Sequence, residues 1–306
     1  MRPLVSILTP TYNCGKYIHR LLDSILMQSY PSIELHIIDD GSTDNTRDII
    51  GSYIALFKDK GYDLYYYYQQ NQGQSVAINN GLKHIKGEYL LWPDADDFYK
   101  TENAIECLVE SMEKSDSSYA MARCLIEYVN EEDLSVITQT DSERTYPEAL
   151  FEDCMYAKNG FWFCSGDYIV RTSALREQIP GLEIYTNKDA GQNWQLMLPV
   201  LHKFQCVTIP HVMYCVVSRH DSHSRGQYLG RNAINTKLRS YRDTILTTLE
   251  KIPSISNHEK KCHTSAIRRK YRNLITKNNL YYFVRRPIKQ ILQNALSLVK
   301  NDTDYR

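Results

Sequence analysis

Residues 33–46 read IELHIIDDGSTDNT, an apolar run that ends in two aspartates, a glycine and several small polar residues. The run Ile33–Ile38 is typical of a buried parallel strand. The polar residues 42–44 are good N-caps, and they predict a helix that begins there and runs towards Phe57. A strand that leads through a polar turn into a helix is the repeating unit of a parallel sheet, so this stretch decides the fold class.

The same unit recurs on both sides of this stretch. Further strands are predicted at Val5–Thr9, Tyr65–Tyr68 and Glu88–Trp92, and further helices at residues 17–26 and 75–85. Four strands separated by three helices imply a parallel sheet with right-handed crossovers. The first hundred residues therefore predict an α/β domain with a mostly parallel sheet flanked by helices.

The pattern loosens after residue 97 and becomes almost entirely helical after residue 230. The weaker signals are helices near Glu102–Lys114 and Ala190–Phe204, and strands near Tyr119–Val129, Tyr168–Arg171 and Cys206–Ser218. The final helices are predicted at Ile234–Leu249, His258–Lys277 and Tyr281–Val299. We therefore predict an α/β domain at 1–230, with halves of about 1–100 and 101–230, and a helical C-terminal extension at 231–306.

Charge divides the chain in the same way, although the formal net charge is zero. Residues 231–306 hold 17 Lys and Arg against 5 Asp and Glu, and the first 230 residues hold 19 against 31. Residues 281–299 combine apolar side chains at helical spacing with cations, as in helices that lie on anionic membranes, although such a helix also suits packing on the α/β domain. We expect no nucleic-acid partner.

The sequence also carries expectations about the compartment. It has no run of eighteen apolar residues, and its first residues, MRPLVSILTPTYN, do not resemble a secretory signal. The eight cysteines form no CxxC pair, which indicates reduced thiols rather than a disulfide framework or a zinc site. We therefore expect a cytoplasmic protein, with peripheral contact at the inner face of the membrane as the open alternative.

Polar residues follow each strand of the predicted sheet, where ligands of open parallel sheets bind. They are Pro10–Asn13, Asp39–Ser42, Gln69–Gln74 and Asp94–Asp97, and they include five carboxylates, Asp39, Asp40, Asp94, Asp96 and Asp97. Clustered carboxylates need a cation or hydrogen-bond donors, and oxygen ligands favour Mn²⁺ or Mg²⁺. The alternative is ordinary turn chemistry. No GxGxxG or GxxxxGK[ST] motif is present, which argues against the usual dinucleotide and ATPase sites.

Three segments, VSILTPTYN, IELHIIDDGSTDNT and NQGQSVAINNGLKHIKGEYLLWPDADD, resemble in order and spacing the motifs of family 2 glycosyltransferases. The resemblance is strong over residues 4–97 and weak as far as about residue 225. It implies the GT-A fold, inverting transfer from a nucleotide-diphospho-sugar, and a divalent metal. By position it implies that Pro10 and Tyr12 line the nucleobase and that Asp40 hydrogen-bonds to it. It also implies that the DxD element Asp94-Ala95-Asp96 contacts the ribose and the metal–diphosphate, and the neighbouring Asn13 and Gln72 complete the predicted nucleotide-sugar site.

Two departures from the family pattern affect the predicted chemistry. Where the family often has Arg-Asn, this chain has Ile78-Asn79, which removes a cationic donor contact. Where many members have an acidic Glu-Asp pair that supplies the general base, this chain has Gln192-Asn193, and neither amide can act as a base. The base is then Asp189 or Asp167, or the acceptor is already anionic; Asp189 also suits a helix N-cap.

The remaining candidates come from two further groups. The stretch His220–Arg225 falls where members of the fold close a loop over the diphosphate, so His223 is a candidate metal ligand and Arg225 a candidate phosphate contact; a plain surface loop is the alternative. Trp162, Asn193 and Trp194 are candidate acceptor-binding residues, although the tryptophans also suit core packing.

The sequence thus predicts a metal-dependent glycosyltransferase that moves a sugar, from a UDP-sugar by preference, to a saccharide or lipid-linked acceptor, as in surface polysaccharide synthesis. A catalytically silent sugar-nucleotide-binding or scaffold protein is the first alternative, because of Gln192-Asn193. A nucleotidyltransferase is the second, although the chain lacks the glycine- and basic-rich loop after strand one that such enzymes usually have.

Overall fold

The computed structural model describes residues 2–140, 149–158, 161, 164–187, 190–219 and 230–285. The chain divides into two compact units, one of residues 1–219 with 244–257, the other of residues 220–243 with 258–306. The chain passes from one unit to the other after residue 219 and again after residue 243, so neither change coincides with the boundary predicted near residue 230. The helix that begins at Arg231 contributes residues to both units.

The first part of the chain forms the predicted parallel sheet. Its strands are β1 (Val5–Thr11), β2 (Ile33–Asp39), β3 (Asp63–Tyr68) and β4 (Tyr89–Leu91), and its helices are α1 (Ile18–Leu26), α2 (Thr46–Lys60) and α3 (Gln74–Leu82). The strands lie in the order β3-β2-β1-β4, and every pairing among them is parallel. All residues of β1 and β2 are buried, as expected for strands covered on both faces.

The sheet then continues with mixed pairing. The elements are β5 (Phe98–Tyr99), α4 (Ala104–Lys114), β6 (Tyr119–Asn130), β7 (Ile137–Thr140), α5 (Phe151–Tyr156), β8 (Tyr168–Arg171), α6 (Thr172–Gln178), α7 (Asn193–Lys203) and β9 (Gln205–Ser218). The full order is β3-β2-β1-β4-β8-β6-β9-β5, with β7 beside β6. β8 runs antiparallel to both β4 and β6, so the switch from parallel to antiparallel pairing occurs directly next to β4.

Four short elements, β5, β7, α5 and α6, are absent from the sequence prediction. β5 has two residues and β7 has four, and all four residues of β7 are exposed, so neither has a readable hydrophobic period. α5 and α6 have six and seven residues, which is less than two turns. A 3₁₀ turn at Pro180–Leu182 follows α6.

The predicted N-caps are wrong for two helices. α2 begins at Thr46 with Asn45 at its N-cap position; Ser42 accepts from the loop after β1, and Asp44 accepts both from that loop and from the Thr46 N–H at the start of the helix. α7 begins at Asn193, and its N-cap position is Gln192 rather than residue 189. Neither Asn45 nor Gln192 makes a side-chain capping bond.

The C-terminal part is helical, as predicted. α8 spans Arg231–Lys251 and α9 spans Asn257–Leu280, followed by a π-helical turn at Tyr281–Arg285. The rest of the helix predicted to reach Val299 lies outside the described residues. Among the described residues no helix is long and apolar enough to cross a membrane.

Candidate active site

The loops after β1 and β2 are joined side by side at the carboxyl edge of the sheet. The Asn13 backbone N–H donates to Ser42 Oγ at 2.8 Å, and Asn13 Oδ1 accepts from the Thr43 N–H at 2.8 Å. The Gly15 N–H donates to Asp44 Oδ2 at 3.0 Å. Asn13 has φ +50°, a left-handed conformation that asparagine tolerates better than most residues. Asn13 therefore braces the two loops against each other.

Tyr12 lies beside this brace and is the most accessible of the predicted base-binding residues. Its side chain is 44% exposed, whereas Pro10 is buried in β1 opposite Ile38. An exposed ring next to a rigid loop suits stacking on a flat ligand.

The two aspartates after β2 are both buried and both hydrogen-bonded. Asp39 Oδ1 accepts from the Ser42 N–H at 2.8 Å, and its Oδ2 accepts from the Tyr66 hydroxyl at 2.7 Å. Asp40 Oδ1 accepts from Gln69 Nε2 at 2.7 Å and from the Gln72 N–H at 2.9 Å.

Asp40 Oδ2 accepts from the Gly73 N–H at 2.8 Å, and Gly73 has φ +95°, which glycine adopts without strain. Asp40 thus fastens the loop between β3 and α3 to the end of β2. Gln72 contacts Asp40 through its backbone, and the residue is exposed. The predicted contact of Asp40 with a nucleobase stays a prediction.

The acidic residues after β4 form an electrostatically unfavourable cluster. Burial and the neighbouring charge of Asp96 raise the pKa of Asp94 to about 6, while Ser165, Arg219 and Gln192 act in the opposite direction. Burial, with the charges of Asp96 and Asp94, raises the pKa of Asp97 well above its ordinary value. The protein's own donors therefore do not fully neutralise this cluster, which is the condition under which carboxylates take up a cation.

The hydrogen bonds within the cluster separate its members. Asp97 Oδ1 accepts from the backbone N–H of Val217 at 2.9 Å, which ties it to β9. Asp94 Oδ1 is 3.4 Å from Gln74 Nε2, at the start of α3. Ala95 is buried between Asp94 and Asp96, which are both partly exposed. Asp94 and Asp96 are thus the two members open to a ligand.

Arg219 is a site residue that the sequence reasoning missed. Its Nη2 lies 2.9 Å from Asp96 Oδ2, and its guanidinium carbon lies 4.4 Å from the centre of the Tyr17 ring. It directly precedes the predicted diphosphate loop at 220–225, so a search for cations that included the end of β9 would have found it. His223 and Arg225 themselves lie outside the described residues, and their roles stay predictions.

The neutral pair that replaces the family's acidic pair lies at the same cluster. Gln192 is 2% exposed and faces Asp94, whose pKa it lowers. Asn193 Oδ1 accepts from Trp92 Nε1 at 3.0 Å. Trp194 is partly buried, and its Nε1 donates to the Cys154 carbonyl at 3.1 Å. A carboxylate at residue 192 would add a further negative charge beside Asp94, so the amide relieves repulsion there.

Of the two candidate bases, Asp167 and Asp189, only Asp167 lies among the described residues. Asp167 is 4% exposed and directly precedes β8. Burial raises the pKa of the Cys164 thiol well above its usual value, and the charges of Asp167, Asp97 and Asp94 add to this. Asp167 therefore lies in the interior behind the acidic cluster. Asp189 and Trp162 lie outside the described residues.

Asp94 and Asp96 fit a hard divalent cation as a partial ligand set. They supply only oxygen donors, and the charge of Asp94 is incompletely balanced by the protein, whereas Asp96 is paired with Arg219. Among the described residues there is no group of three or more His, Cys, Asp or Glu arranged to hold a metal. The two aspartates fit a cation whose remaining ligands come from a bound diphosphate.

A separate cleft of about 350 Å³ opens beside the β2 loop. It is lined by loop residues 42–44, by Arg47 and Asp48 of α2, and by Asp39, Tyr66 and Tyr68, and its lining includes neither Asp94 nor Asp96.

Comparison with known proteins decides the family. The model of Glycosyl transferase family 2 matches residues 6–177, more than half of the chain. The chain belongs to this family.

Curated relatives share the family domain over part of their length. A glycosyltransferase of Rickettsia typhi that is itself uncharacterized is 35% identical over 148 residues, 48% of this chain and 44% of that one. The putative teichuronic acid biosynthesis glycosyltransferase TuaG of Bacillus subtilis is 40% identical over 114 residues, 37% of this chain and 44% of that one. Glycosyltransferase GlyG of Streptococcus pneumoniae is 31% identical over 177 residues, 57% of each chain. The chain thus spans about half the length of these relatives.

Solved structures show the same fold at low identity. TarS 1–349 of S. aureus in complex with UDP-GlcNAc aligns with a TM-score of 0.63 and 18% identity, covering 94% of this chain and 77% of that one. The mannosyltransferase PcManGT of Pyrobaculum calidifontis, in complex with GDP-Man and Mn²⁺, aligns with a TM-score of 0.53 and 18% identity, covering all of this chain and 89% of that one. The predicted GT-A fold is confirmed.

Proposed function

We propose that this chain is an inverting, metal-dependent glycosyltransferase that moves a sugar from a UDP-sugar to a saccharide or lipid-linked acceptor, in surface polysaccharide synthesis. The observation that carries the proposal is the partly exposed pair Asp94 and Asp96, with the charge of Asp94 incompletely neutralised, at the edge where the loops after β1 and β2 meet. A carboxylate pair of this kind suits a divalent cation together with a diphosphate, which is the charged part of the donor.

The residues then divide the work of binding. Tyr12 stacks on the nucleobase, with Pro10, Asn13 and Gln72 around it, and Asp40 receives a hydrogen bond from the base while holding the 72–73 turn. Asp94 and Asp96 hold Mn²⁺ or Mg²⁺ and contact the ribose. His223 is a further ligand of the metal, and Arg225 contacts the diphosphate. When bound, the metal supplies positive charge that stabilises the leaving nucleotide diphosphate. Trp162, Asn193 and Trp194 hold the acceptor so that its oxygen attacks the anomeric carbon in line.

The nature of donor and acceptor is supported by the relatives. TarS was crystallised with UDP-GlcNAc, and TuaG is named as a putative teichuronic acid biosynthesis glycosyltransferase. PcManGT was crystallised with GDP-Man and Mn²⁺. The ligands of these neighbouring structures support a nucleotide-sugar donor and a metal cofactor for this chain.

Calorimetric titration of the full chain with UDP, GDP and dTDP, each with and without Mn²⁺, tests the proposal. We expect UDP to bind in a Mn²⁺-dependent manner, and Asp96→Ala to abolish that dependence while the melting temperature stays near that of the wild type. The matched control is Asp59→Ala, which removes an exposed carboxylate near the far end of α2. Equal UDP affinity of wild type and Asp96→Ala in Mn²⁺ contradicts the metal role.

The general base is proposed to be Asp189, with Asp167 second. Replacing a general base lowers turnover by roughly two to four orders of magnitude, so Asp189→Asn should do so with donor binding unchanged. Asp167→Asn is the matched comparison, since its buried position beside Cys164 suits a structural charge. Near-normal turnover in both variants points to an acceptor that is already anionic, such as a phosphate, which needs no deprotonation.

The second candidate function is a catalytically silent sugar-nucleotide-binding protein. The observation that favours it is the pair Gln192 and Asn193 beside Asp94 and Trp92. The two functions differ in turnover: slow hydrolysis or transfer of UDP-sugars in Mn²⁺ supports the enzyme, whereas Mn²⁺-dependent binding without any released UDP supports the silent protein.

We also propose that the chain works in the cytoplasm with peripheral contact at the inner face of the membrane, through a separate helical region at 231–306. The last turn of α9 carries Lys277 and ends at Leu280, which is 60% exposed. Tyr281 and Phe283 follow it and are 44% and 69% exposed. Apolar side chains beside cations suit an anionic lipid surface. Co-sedimentation with vesicles containing anionic lipid should fall for Leu280→Ser with Phe283→Ser. Equal co-sedimentation of wild type and variant contradicts the proposal.

A further inference from the structure

Arg219 occupies a position in the acidic cluster that the proposed function leaves unexplained. Its Nη2 lies 2.9 Å from Asp96 Oδ2, and the two side chains are 16% and 19% exposed. The ion pair is therefore largely sheltered from solvent, and its attraction is screened less than that of a surface pair. Asp96 is also one of the two carboxylates that the proposed function assigns to the metal.

The arginine is held at this place by an aromatic ring. Its guanidinium carbon lies 4.4 Å from the centre of the Tyr17 ring, and Tyr17 is 6% exposed. The same ring carries Lys16 at 5.1 Å and Arg20 at 5.6 Å. Lys16 pairs with Glu131 at 3.2 Å. Arg219, unlike Lys16, is paired with a carboxylate of the acidic cluster.

The charge of Arg219 acts on the whole cluster. It lowers the pKa of Asp94 and of Asp97 against the larger effects of burial and of the neighbouring carboxylates, which raise both. The arginine that the family often has before the glycine of the third helix is absent from this chain, which reads Ala77-Ile78-Asn79-Asn80-Gly81 there. Ile78 in this stretch is fully buried. Arg219 is thus a positive charge that the chain brings to the rim from β9.

We infer that Arg219 is a resident counter-cation that couples metal binding to nucleotide binding, an inference that rests on the proposed function. A divalent cation on Asp94 and Asp96 has to share the Asp96 carboxylate with the guanidinium, and the like charges repel. Arg219 therefore opposes binding of the metal to the protein alone. A nucleotide diphosphate offers anionic oxygens that match the guanidinium fork, so Arg219 exchanges Asp96 for the diphosphate when the donor binds.

This exchange makes the two ligands cooperative. If the diphosphate takes Arg219 away from Asp96, the metal gains affinity, and by linkage the metal raises the affinity for the nucleotide by the same factor. Arg219 is a positioning residue in this account, because it sets the affinity of other groups for the metal. Removing the charge of Arg219 should therefore raise the affinity for the metal alone and lower the affinity for the nucleotide alone.

The test measures Mn²⁺ affinity of the full chain with and without UDP, by titration followed by electron paramagnetic resonance. Arg219→Gln keeps much of the side-chain length but removes the charge. For this variant we expect Mn²⁺ alone to bind at least fivefold more tightly than to wild type, UDP alone to bind more weakly, and the coupling factor between them to fall about tenfold, within the usual range of such couplings. Association of Mn²⁺ with UDP in solution is measured separately and included in the fit.

Two further variants sharpen the result. Arg20→Gln removes a guanidinium from the same ring and is expected to leave both affinities unchanged. Arg219→Lys keeps the charge, and its Mn²⁺ affinity is expected to lie between those of wild type and Arg219→Gln, which also serves if the glutamine variant does not fold. An equal effect of Arg20→Gln, or unchanged or weaker Mn²⁺ binding to Arg219→Gln, overturns the inference.

The outcomes also separate this inference from the proposed function. If wild type binds UDP in a Mn²⁺-dependent manner while Arg219→Gln keeps the full coupling factor, the inference alone is wrong. If wild type shows no Mn²⁺-dependent binding of any nucleotide diphosphate, the proposed function and the inference both fail.

Discussion

Glu34, in β2, and Asp94, after β4, are carboxylates that lose solvent in the folded protein, but their pKa values shift in opposite directions. Glu34 Oε1 accepts hydrogen bonds from Ser6 Oγ at 2.5 Å and from the Lys86 N–H at 2.7 Å, and it lies 3.3 Å from His36 Nε2. Burial alone would raise the pKa of Glu34, but the contacts with His36, Ser6 and Lys86 outweigh it and lower the pKa to about 2.

Asp94 has the reverse balance. Burial and Asp96 raise its pKa to about 6, because Ser165, Arg219 and Gln192 compensate only in part. The comparison teaches that burial does not distinguish a structural acid from a binding one. What distinguishes them is whether the chain itself completes the neutralisation, as it does at Glu34, or leaves it incomplete, as it does at Asp94, where the proposed function adds a cation.

The largest expected effect is on transfer activity at the incompletely neutralised site. Asp94→Asn removes a ligand for a cation whose charge stabilisation contributes several kcal/mol, so we expect turnover of the best UDP-sugar to fall roughly a thousandfold. Release of UDP at saturating donor and Mn²⁺ measures it. Turnover within tenfold of wild type would place the binding function elsewhere.

The next largest effect is on stability at the neutralised site. Glu34→Ala leaves the buried donors of Ser6, Lys86 and His36 without their acceptor, so we expect the free energy of unfolding at pH 7 to fall by about 3 kcal/mol. Urea unfolding measures it. The difference from wild type should shrink as the pH falls from about 4.5 towards 2, because the lowered pKa of Glu34 stabilises only the charged form. A constant difference over that range contradicts the assignment.

The same Asp94→Asn variant should gain stability while it loses activity. Because the pKa of Asp94 is raised in the folded protein, its charged form lowers the free energy of unfolding. This loss is absent below the ordinary pKa of an aspartate and develops as the pH rises through about 6. We expect the variant to be more stable than wild type by about 1–2 kcal/mol at pH 8, discounted from the full shift because Asp94 is partly exposed. Urea unfolding at pH 8 and pH 4 checks this, and the gain should vanish at pH 4.

The smallest effect is expected at the brace between the β1 and β2 loops. Asp44 accepts from the Gly15 N–H at 3.0 Å and the Thr46 N–H at 3.0 Å, bonds comparable to a helix cap. Asp44→Ala should therefore cost about 1 kcal/mol of stability and weaken UDP binding severalfold through the loosened Tyr12 loop. Thermal unfolding and calorimetry check the two parts, and Asp59→Ala is the control. Unchanged UDP affinity would mean that the brace does not position Tyr12.

The sequence by itself determined the parallel half of the fold and the edge at which the site lies. The strands β1 to β4 and their helices are specified by local hydrophobic periods and polar turns, so Asp40, Asp94 and Asp96 could be placed at one rim without any structure. The motifs after β1, β2 and β4 likewise determined the family.

Only the tertiary structure decided how the charges at that rim are balanced. Arg219 reaches Asp96 from β9, and Gln192 reaches Asp94 from the start of α7, both across more than ninety residues of sequence. The strands β6, β8 and β9 were predicted from the sequence, but their order and the antiparallel pairing of β8, which bring these segments together, depend on long-range contacts that no local pattern encodes. Local patterns fix where a strand ends, but the pKa of a carboxylate there depends on burial and on charges that only long-range packing brings within a few ångströms.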